Sequence, residues 1–181
     1  GEPLIEPLRK FGTPLGEHVG VQPYAAWQQA FDPLLTAGAR NYWKSHNLST
    51  LKDGLFDAVI EYVGTLPSPQ CEIFIAAIGG ATTRPASSSA AYAHRDATFV
   101  MNVHGRWEDP ADDNLCIGWA RDFFNASAPF ASAGVYVNFL TVDEGDRVRS
   151  AYGPNYERLA RVKRRYDPEN LFRMNQNIAP A

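Results

Sequence analysis

The sequence predicts an α+β domain, in which an antiparallel β-sheet has helices packed on one face and a polar, site-forming face on the other. Strand-like and helix-like segments are interleaved along the 181 residues. Two strand-like segments, residues 95–104 and 134–140, alternate between apolar and polar side chains. Such alternation is typical of an antiparallel sheet covered on one face, whereas the buried strands of a parallel sheet read as continuous apolar runs.

Four segments have the pattern of strands. Residues 40–46 alternate aromatic and polar side chains, and residues 71–78 form an apolar run that two glycines end. The alternating segments 95–104 and 134–140 complete the predicted sheet.

Helices are predicted where apolar residues recur every three or four positions. Ser49 is a suitable N-cap for the helix that follows it, and Asp167-Pro168 ends the last helix. The acidic run at 109–113 suits a helix N-terminus, because carboxylates favour the positive end of the helix dipole. The predicted helices cover residues 3–11, 24–35, 51–63, a stretch that begins at 109, and 154–166.

Composition and charge narrow the class of protein. With 45% apolar and 20% charged residues, the chain is ordinary for one globular domain, or for one domain with an appendage. A net charge of −3 gives no field to attract nucleic acid or an anionic membrane, and no run approaches the roughly 20 apolar residues of a membrane helix. We therefore expect no nucleic-acid partner and no membrane partner.

The first residues show no signal-peptide pattern and no initiating methionine, so we expect a processed product or an excised piece. Asn-x-Ser triplets at Asn47 and Asn125 are too common to place the chain in a secretory pathway. A cytoplasmic and a secreted location therefore both stay open.

Several residue types that often carry chemistry have simpler interpretations here. Cys71 and Cys116 are too few for a disulfide framework, and we expect both to be buried. The basic residues of the last predicted helix lie opposite its apolar stripe and indicate a solvated face. No metal site is predicted, because metal-ligand spacing is lacking among His18, His46, His94 and His104.

The alternation within strands assigns side chains to faces. Aromatic, amide and basic groups share faces in three segments: Asn102 with His104, Tyr136 with Asn138, and Tyr42 with Lys44 and His46. One interpretation is that this side of the sheet simply faces water. The other is a binding site, which is favoured because solvent-facing strands usually carry more lysine, glutamate and threonine.

The C-terminal run AYGPNYERLARVKRRYDPENLFRMNQNIAP, residues 151–180, resembles the end of the FAD-linked oxidases of the berberine bridge enzyme-like family. These proteins belong to the vanillyl-alcohol oxidase type of flavoprotein. Similar segments follow one another upstream, so the resemblance covers nearly the whole chain: PYAAWQQAFD, NYWKSHNL, SPQCEIFIAAIGGA, AHRDATFVMNVHGRW and GVYVNFL. The C-terminal run and the spacing of Tyr136 and Asn138 are its most specific signals.

The resemblance implies a protein of two parts, an N-terminal FAD-binding domain and a C-terminal domain that binds a small-molecule substrate. We expect residues 1–150 to be the substrate-binding domain and residues 151–181 to be a segment that returns to the FAD domain, which this chain lacks. The isolated chain is then expected to bind no FAD and to be colourless and inactive. It is also expected to self-associate through the face that the FAD domain would cover.

The resemblance also implies roles for individual residues. Tyr136 matches the family's catalytic tyrosine, and the reaction would oxidise an alcohol, or a C–H next to a heteroatom, by hydride transfer to flavin. Dioxygen usually reoxidises the flavin in this family. The terminal amides of Asn175 and Asn177 would lie against the flavin edge, because an amide can both donate and accept hydrogen bonds. Gln176 would alternate away from them if the segment is extended.

A tyrosine needs help to act as a base at neutral pH, since the reference pKa of a phenol is about 10. A nearby cation or hydrogen-bond donor would supply that help by favouring the phenolate. Asn102 stands where relatives often carry a glutamine that touches the substrate, so the substrate class is open. The candidates for substrate binding are Asn138, Asn102, Arg95, His104 and Lys44, of which the last three could also supply the charge.

A second interpretation stays open, in which the chain is a non-catalytic, free-standing module that binds a ligand or a partner. A flavin spectrum in the purified chain would favour catalysis by the chain itself. A colourless chain would leave both interpretations open until the partner domain is tested.

Overall fold

The structure, a computed structural model, describes residues 1–181 and divides into two units, Gly1–Ala37 and Gly38–Ala181. The smaller unit contains helix α1 (Glu2–Arg9), helix α2 (Tyr24–Gln28) and a 3-10 turn at Asp32–Leu34. None of these elements has a buried residue. The two helices predicted at 3–11 and 24–35 are thus present but shorter, and their apolar faces are exposed.

Three antiparallel strands organise the larger unit. Strand β1 is Arg40–Leu48, β2 is Glu72–Ala77 and β3 is Phe99–Trp107, and the sheet order is β1-β3-β2. Strands predicted at 40–46, 71–78 and 95–104 are confirmed, and the last of them begins four residues later than expected. The α+β class and the antiparallel sheet are therefore confirmed.

Two helices cover one face of the sheet. Helix α3 (Asp53–Val63) and helix α4 (Asp113–Ser127) pack against the apolar side chains of the three strands. Both cysteines are buried in this core, as predicted. The main core residues are Leu48, Leu55, Met101, Val103, Trp107, Cys116, Trp119 and Phe123.

The strand predicted at 134–140 is wrong. The chain is irregular there and forms a 3-10 turn at Val137–Phe139. Gly134 has a left-handed φ of +84°, and the amide of Phe139 donates to the carbonyl of Tyr136 at 3.0 Å. These local bonds replace the ladder that a fourth strand would make.

The C-terminal part turns back on its last helix. After helix α5 (Val148–Tyr152), helix α6 runs from Tyr156–Tyr166 and ends before Asp167, as predicted. The Asp167 carboxylate accepts hydrogen bonds from the backbone amides of Leu171 and Phe172 at 2.8 and 3.0 Å. The amide of Ala181 reaches the carbonyl of Ala160, so the final segment runs back along α6.

Two expectations about α6 have different outcomes. The basic side chains of α6 are mostly exposed, which confirms the solvated face. Its apolar stripe was expected to be buried to the end, but Val162 is 47% and Tyr166 73% exposed. No helix of the chain combines the length and apolarity needed to cross a bilayer.

Candidate active site

The Tyr136–Asn138 pair is formed by the local turn in which it lies. Tyr136 has extended backbone angles, the 3-10 turn begins after it, and the side chains two residues apart meet. The Asn138 side-chain amide donates to the Tyr136 hydroxyl oxygen at 2.9 Å. The predicted pair therefore forms, although the predicted strand does not.

Tyr136 belongs to a row of aromatic rings that contact one another in turn. Its ring meets those of Tyr92 and Phe139 edge to face, with centroids 6.1 and 5.1 Å apart. Phe139 in turn meets Phe74 of β2 at 5.7 Å. Phe74 is the sheet partner of Asn102, so the row connects Tyr136 to the sheet face that the helices leave uncovered.

The sheet face opposite the two helices carries two of the predicted substrate-binding residues, Asn102 and His104, and both are buried. Cross-strand partners share a face, and Asn102 pairs with Ser45 while His104 pairs with Trp43. His104 is held by Asn41 Oδ1, 2.9 Å from Nε2, and by Glu72 Oε1, 3.2 Å from Nδ1.

Asn102 is only 2% exposed, and its side-chain nitrogen has no hydrogen-bond partner. The hydroxyl of Ser45 and the amide of Asn47 on the same face are also buried and unpartnered. Buried polar groups of this kind cost free energy until a partner satisfies them. This face is therefore equipped with hydrogen-bonding capacity that the protein itself leaves unused.

Arg95 and Tyr136 both contact the ring of Tyr92. Its guanidinium stands 5.0 Å from the ring centroid of Tyr92 and donates to the carbonyl of Thr82 at 2.6 Å, while its Nε is buried without a partner. Burial raises the pKa of the Tyr92 phenol, and the attraction of Arg95 opposes this only in part. Of the three predicted cations, Arg95 is the one linked to Tyr136 by ring contacts.

The placement expected for Lys44 is wrong. Lys44 pairs with Val103 across the ladder, on the helix-facing side, whereas Asn102 and His104 lie on the opposite side. The same alternation sends Tyr42 and His46 to the helix side. Alternation separates the faces within one strand, but the pairing register decides which faces combine. The Lys44 ammonium instead lies 3.2 Å from the buried carboxylate of Glu144.

An ionic network fixes the chain that follows Leu140. Asp143 accepts hydrogen bonds from the Tyr42 hydroxyl at 2.7 Å and from Arg121 at 2.8 Å. Burial alone would raise the pKa of Asp143, but hydrogen bonds from Thr141, Tyr42 and Arg121 outweigh it and hold the pKa well below its ordinary value. Burial and the neighbouring carboxylate raise the pKa of Tyr42 to about 12.

The C-terminal amides lie close to this chain segment. The Gln176 side-chain amide donates to the carbonyl of Leu140 at 2.7 Å. Asn175 has a left-handed φ of 59°, and its carbonyl accepts from the backbone amide of Asn177 at 3.0 Å. The side-chain oxygen of Asn177 is buried without a partner.

One cleft of about 450 Å³ is lined both by a residue of the tyrosine pair and by residues of the C-terminal segment. Its lining includes Asn138 from the tyrosine pair, Asn175 and Gln176 from the C-terminal segment, and the aromatic rings of Trp43 and Tyr152. Sequence reasoning thus named both ends of this site, although they are almost 40 residues apart in the chain.

The donor set of the cleft fits one edge of a flavin ring. That edge presents carbonyl acceptors and one N–H donor, and carboxamides such as those of Asn138 and Asn175 can serve either. The side-chain oxygen of Asn177, two residues after Asn175, is buried and has no hydrogen-bond partner. Trp43 and Tyr152 supply ring surfaces beside these amides. These amides and aromatic rings would hold the flavin.

Sequence reasoning missed several residues of the site, among them Trp43, Tyr92 and Gln176. Trp43 had a signal, because it alternates with Tyr42 along the predicted strand. Tyr92 had none, since it lies in a loop without periodicity. Gln176 was set aside as pointing away from its neighbours, and its bond to Leu140 could not be seen in the sequence.

Comparison with known proteins agrees with this geometry. A family model described as "Berberine and berberine like" matches residues 135–179, which contain both the tyrosine pair and the terminal amides. An uncharacterized FAD-linked oxidoreductase of Bacillus subtilis (strain 168), YgaK, is 28% identical over 179 residues, with 98% of this chain and 40% of that protein covered. Berberine bridge enzyme-like C-1 of Nicotiana tabacum is 31% identical over 162 residues, with 71% of this chain and 28% of that protein covered.

The fold is also that of solved proteins of this kind. The structure of berberine bridge enzyme from Eschscholzia californica matches 79% of this chain and 33% of its own, with a TM-score of 0.70 and 21% identity. At that identity the likeness supports the fold alone. The chain spans less than half the length of the curated relatives described above.

Taken with the fold, these matches make the chain similar to part of proteins named FAD-linked oxidoreductases. More narrowly, residues 135–179 match the berberine and berberine-like family model, and the chain as a whole is similar to the C-terminal part of berberine bridge enzyme-like proteins. The division expected at residue 150 stays a prediction.

Proposed function

We propose that this chain is the substrate-binding part of an FAD-dependent oxidoreductase that oxidises an alcohol, or a C–H next to a heteroatom. Tyr136 is the proton acceptor in this proposal, and the partner is an N-terminal FAD-binding domain. The bound FAD supplies the hydride acceptor. Everything else in the reaction is assigned to side chains of this chain.

The observation that carries the proposal is the hydrogen bond from Asn138 to the Tyr136 oxygen, beside the cleft that the terminal amides line. The amide donor fixes the position of the phenol oxygen in relation to Asn138, which lines the cleft. The bond uses one lone pair of that oxygen and leaves others free to receive a proton from a substrate hydroxyl. A tyrosine placed in this way can act as a general base.

The aromatic row and the sheet face opposite the two helices would bind the substrate. Tyr92 and Phe139 contact the ring of Tyr136, and Phe74 contacts Phe139, so these residues offer ring edges and faces beside Tyr136. The unused donor of Asn102 and the buried Nε of Arg95 lie along the same region and can orient polar groups of a substrate. Asn175 and Asn177 would meet the flavin edge from the other side of the cleft.

Anaerobic mixing of the complete flavin-loaded protein with candidate alcohols tests the proposal. Oxidation of the substrate should bleach the flavin absorbance without oxygen, and deuterium at the reacting carbon should slow the bleaching. The isolated chain should be colourless and should leave the same alcohols unchanged. A flavin that no alcohol or amine-adjacent C–H donor reduces would count against the proposal, as would flavin bound to the isolated chain.

A further inference from the structure

Gln176 ties the C-terminal segment to the segment that carries the tyrosine pair. Its side-chain nitrogen lies 2.7 Å from the carbonyl oxygen of Leu140, and Leu140 is 4% exposed. Leu140 directly follows the turn at Val137–Phe139, and its own amide donates back to Val137 at 3.3 Å. One hydrogen bond therefore joins two parts of the site that are 36 residues apart.

The acceptor of this bond is a fixed point. Thr141, the next residue, donates its backbone amide to the Glu144 carboxylate at 3.1 Å and its hydroxyl to Asp143 at 2.5 Å. Glu144 is 2% exposed and is paired with Lys44, and Asp143 is bound to Tyr42 of β1 and Arg121 of α4. The carbonyl of Leu140 is thus held by bonds that reach the sheet and a core helix.

Gln176 also stands at the centre of a tight turn. The amide of Asn177 donates to the carbonyl of Asn175 at 3.0 Å, which closes a three-residue turn around Gln176. The two flanking asparagines are therefore fixed in relation to the Gln176 side chain. Anchoring that side chain orients both of its neighbours.

We propose that Gln176 is a positioning residue, whose bond to Leu140 presents Asn175 and Asn177 to the same flavin that Tyr136 and Asn138 serve. This inference rests on the proposed function, since it assumes that the terminal amides meet the flavin. Gln176 itself touches no reacting atom. It acts by holding the two asparagines at a fixed distance from the tyrosine pair.

Replacing Gln176→Met tests the inference, because methionine has a similar length and cannot donate. A single neutral hydrogen bond of this kind is modest, so hydrogen exchange of the Asn177 backbone amide, which closes the turn, should quicken by about three- to tenfold in the isolated chain. In the complete protein the flavin should become harder to reduce by the same factor, about 15–30 mV for a two-electron couple. The midpoint of thermal unfolding should stay near that of the parent.

Two further variants give the result its specificity. Gln70→Met removes another side-chain amide donor, whose 3.2 Å bond to Glu108 is exposed and belongs to other elements, so it should change neither readout. Gln176→Glu keeps the shape but donates only when its carboxyl is protonated. Its flavin potential should approach the parent value as the pH falls towards 5, which a purely structural role would not produce.

The outcomes separate this inference from the proposed function. If Asn175→Ala and Asn177→Ala lower the flavin potential while Gln176→Met changes neither exchange nor potential, the positioning role is overturned and the proposed function stands. If none of the three variants moves the potential, the terminal amides do not meet the flavin. Both the inference and that part of the proposed function are then overturned.

Discussion

Tyr42 and Tyr136 hold their hydroxyl groups in contrasting surroundings. The Tyr42 hydroxyl is wedged between the Asp143 carboxylate and Arg121, and burial and that carboxylate raise its pKa to about 12. A phenol in that setting stays protonated and serves as a structural donor. The Tyr136 hydroxyl accepts instead from the neutral side-chain amide of Asn138, a residue that lines the cleft.

His46 should make folding stability depend on pH. Its ring stacks on Phe124 at 4.1 Å and lies 2.9 Å from that residue's carbonyl oxygen through Nε2. Burial lowers the pKa of His46, although the bond to Phe124 opposes the shift in part. The unfolded chain therefore binds the proton more readily, so stability is complete above the ordinary pKa of about 6.5 and is lost as the pH falls below it.

Urea unfolding at pH 7.5 and pH 5.5 measures this effect. His46→Gln should be less stable than the parent at pH 7.5 but should lose less between the two pH values, by at most about 1.4 kcal/mol. The comparison cancels the other titrating groups, since both proteins contain them. Equal losses in parent and variant would show that His46 is not the group that senses pH.

At the scale of elements, the sequence patterns predicted the strands and helices that local interactions determine. The apolar run at 71–78 became an edge strand, and the helix predicted from 109 became α4, which buries Trp119 and Phe123. The alternation at 134–140 has the same appearance, yet Gly134 and the turn at Val137–Phe139 give that segment an irregular path. The sequence predicted correctly which residues of β1 share a face. Which of these two faces lies on the same side of the sheet as Asn102 and His104 depends on the pairing register with β3, and the sequence of one strand does not determine that register.

Gly134 should be required for the path of this segment. Its φ of +84° is unfavourable for other residues, and an added Cβ would stand 2.0 Å from Cε1 of His94. The ring of His94 is itself held 2.9 Å from the carbonyl of Ser150, so it has little freedom to move. Gly134→Ala should therefore lower the free energy of unfolding by more than the ~1–2 kcal/mol of the backbone alone.

Gly118→Ala provides a matched control within α4. Nothing lies within 4 Å of the position of its Cβ, so the helix propensity of alanine should raise stability by about 0.5–1 kcal/mol. Denaturant unfolding of both variants gives the comparison. A Gly134→Ala protein as stable as the parent would mean that the segment takes another path.

At the scale of the whole molecule, the C-terminal segment leaves large apolar side chains uncovered. Leu171, Phe172 and Met174 are 72%, 82% and 83% exposed. Val100, on the sheet face opposite the two helices, is by contrast only 7% exposed. Adjacent apolar side chains of this kind favour contact with another protein surface.

The isolated chain should therefore self-associate through this segment. Static light scattering should show an average mass that rises with concentration, and Phe172→Gln combined with Met174→Gln should reduce the rise. Leu115→Gln, at an exposed leucine of α4, is the control and should leave it unchanged. A strictly monomeric parent at high concentration would contradict the expectation.

The most direct test of the account is the rate of anaerobic flavin reduction in a Tyr136→Phe variant of the complete protein, followed by stopped flow. The ring and its contacts with Tyr92 and Phe139 are kept, and only the proton acceptor is lost. Reduction should slow by about 10² to 10⁴ with little change in substrate affinity, while Tyr92→Phe, its neighbour in the same row, should cost far less. A Tyr136→Phe protein that reduces its flavin at nearly the parent rate from pH 6 to pH 9 would contradict the account.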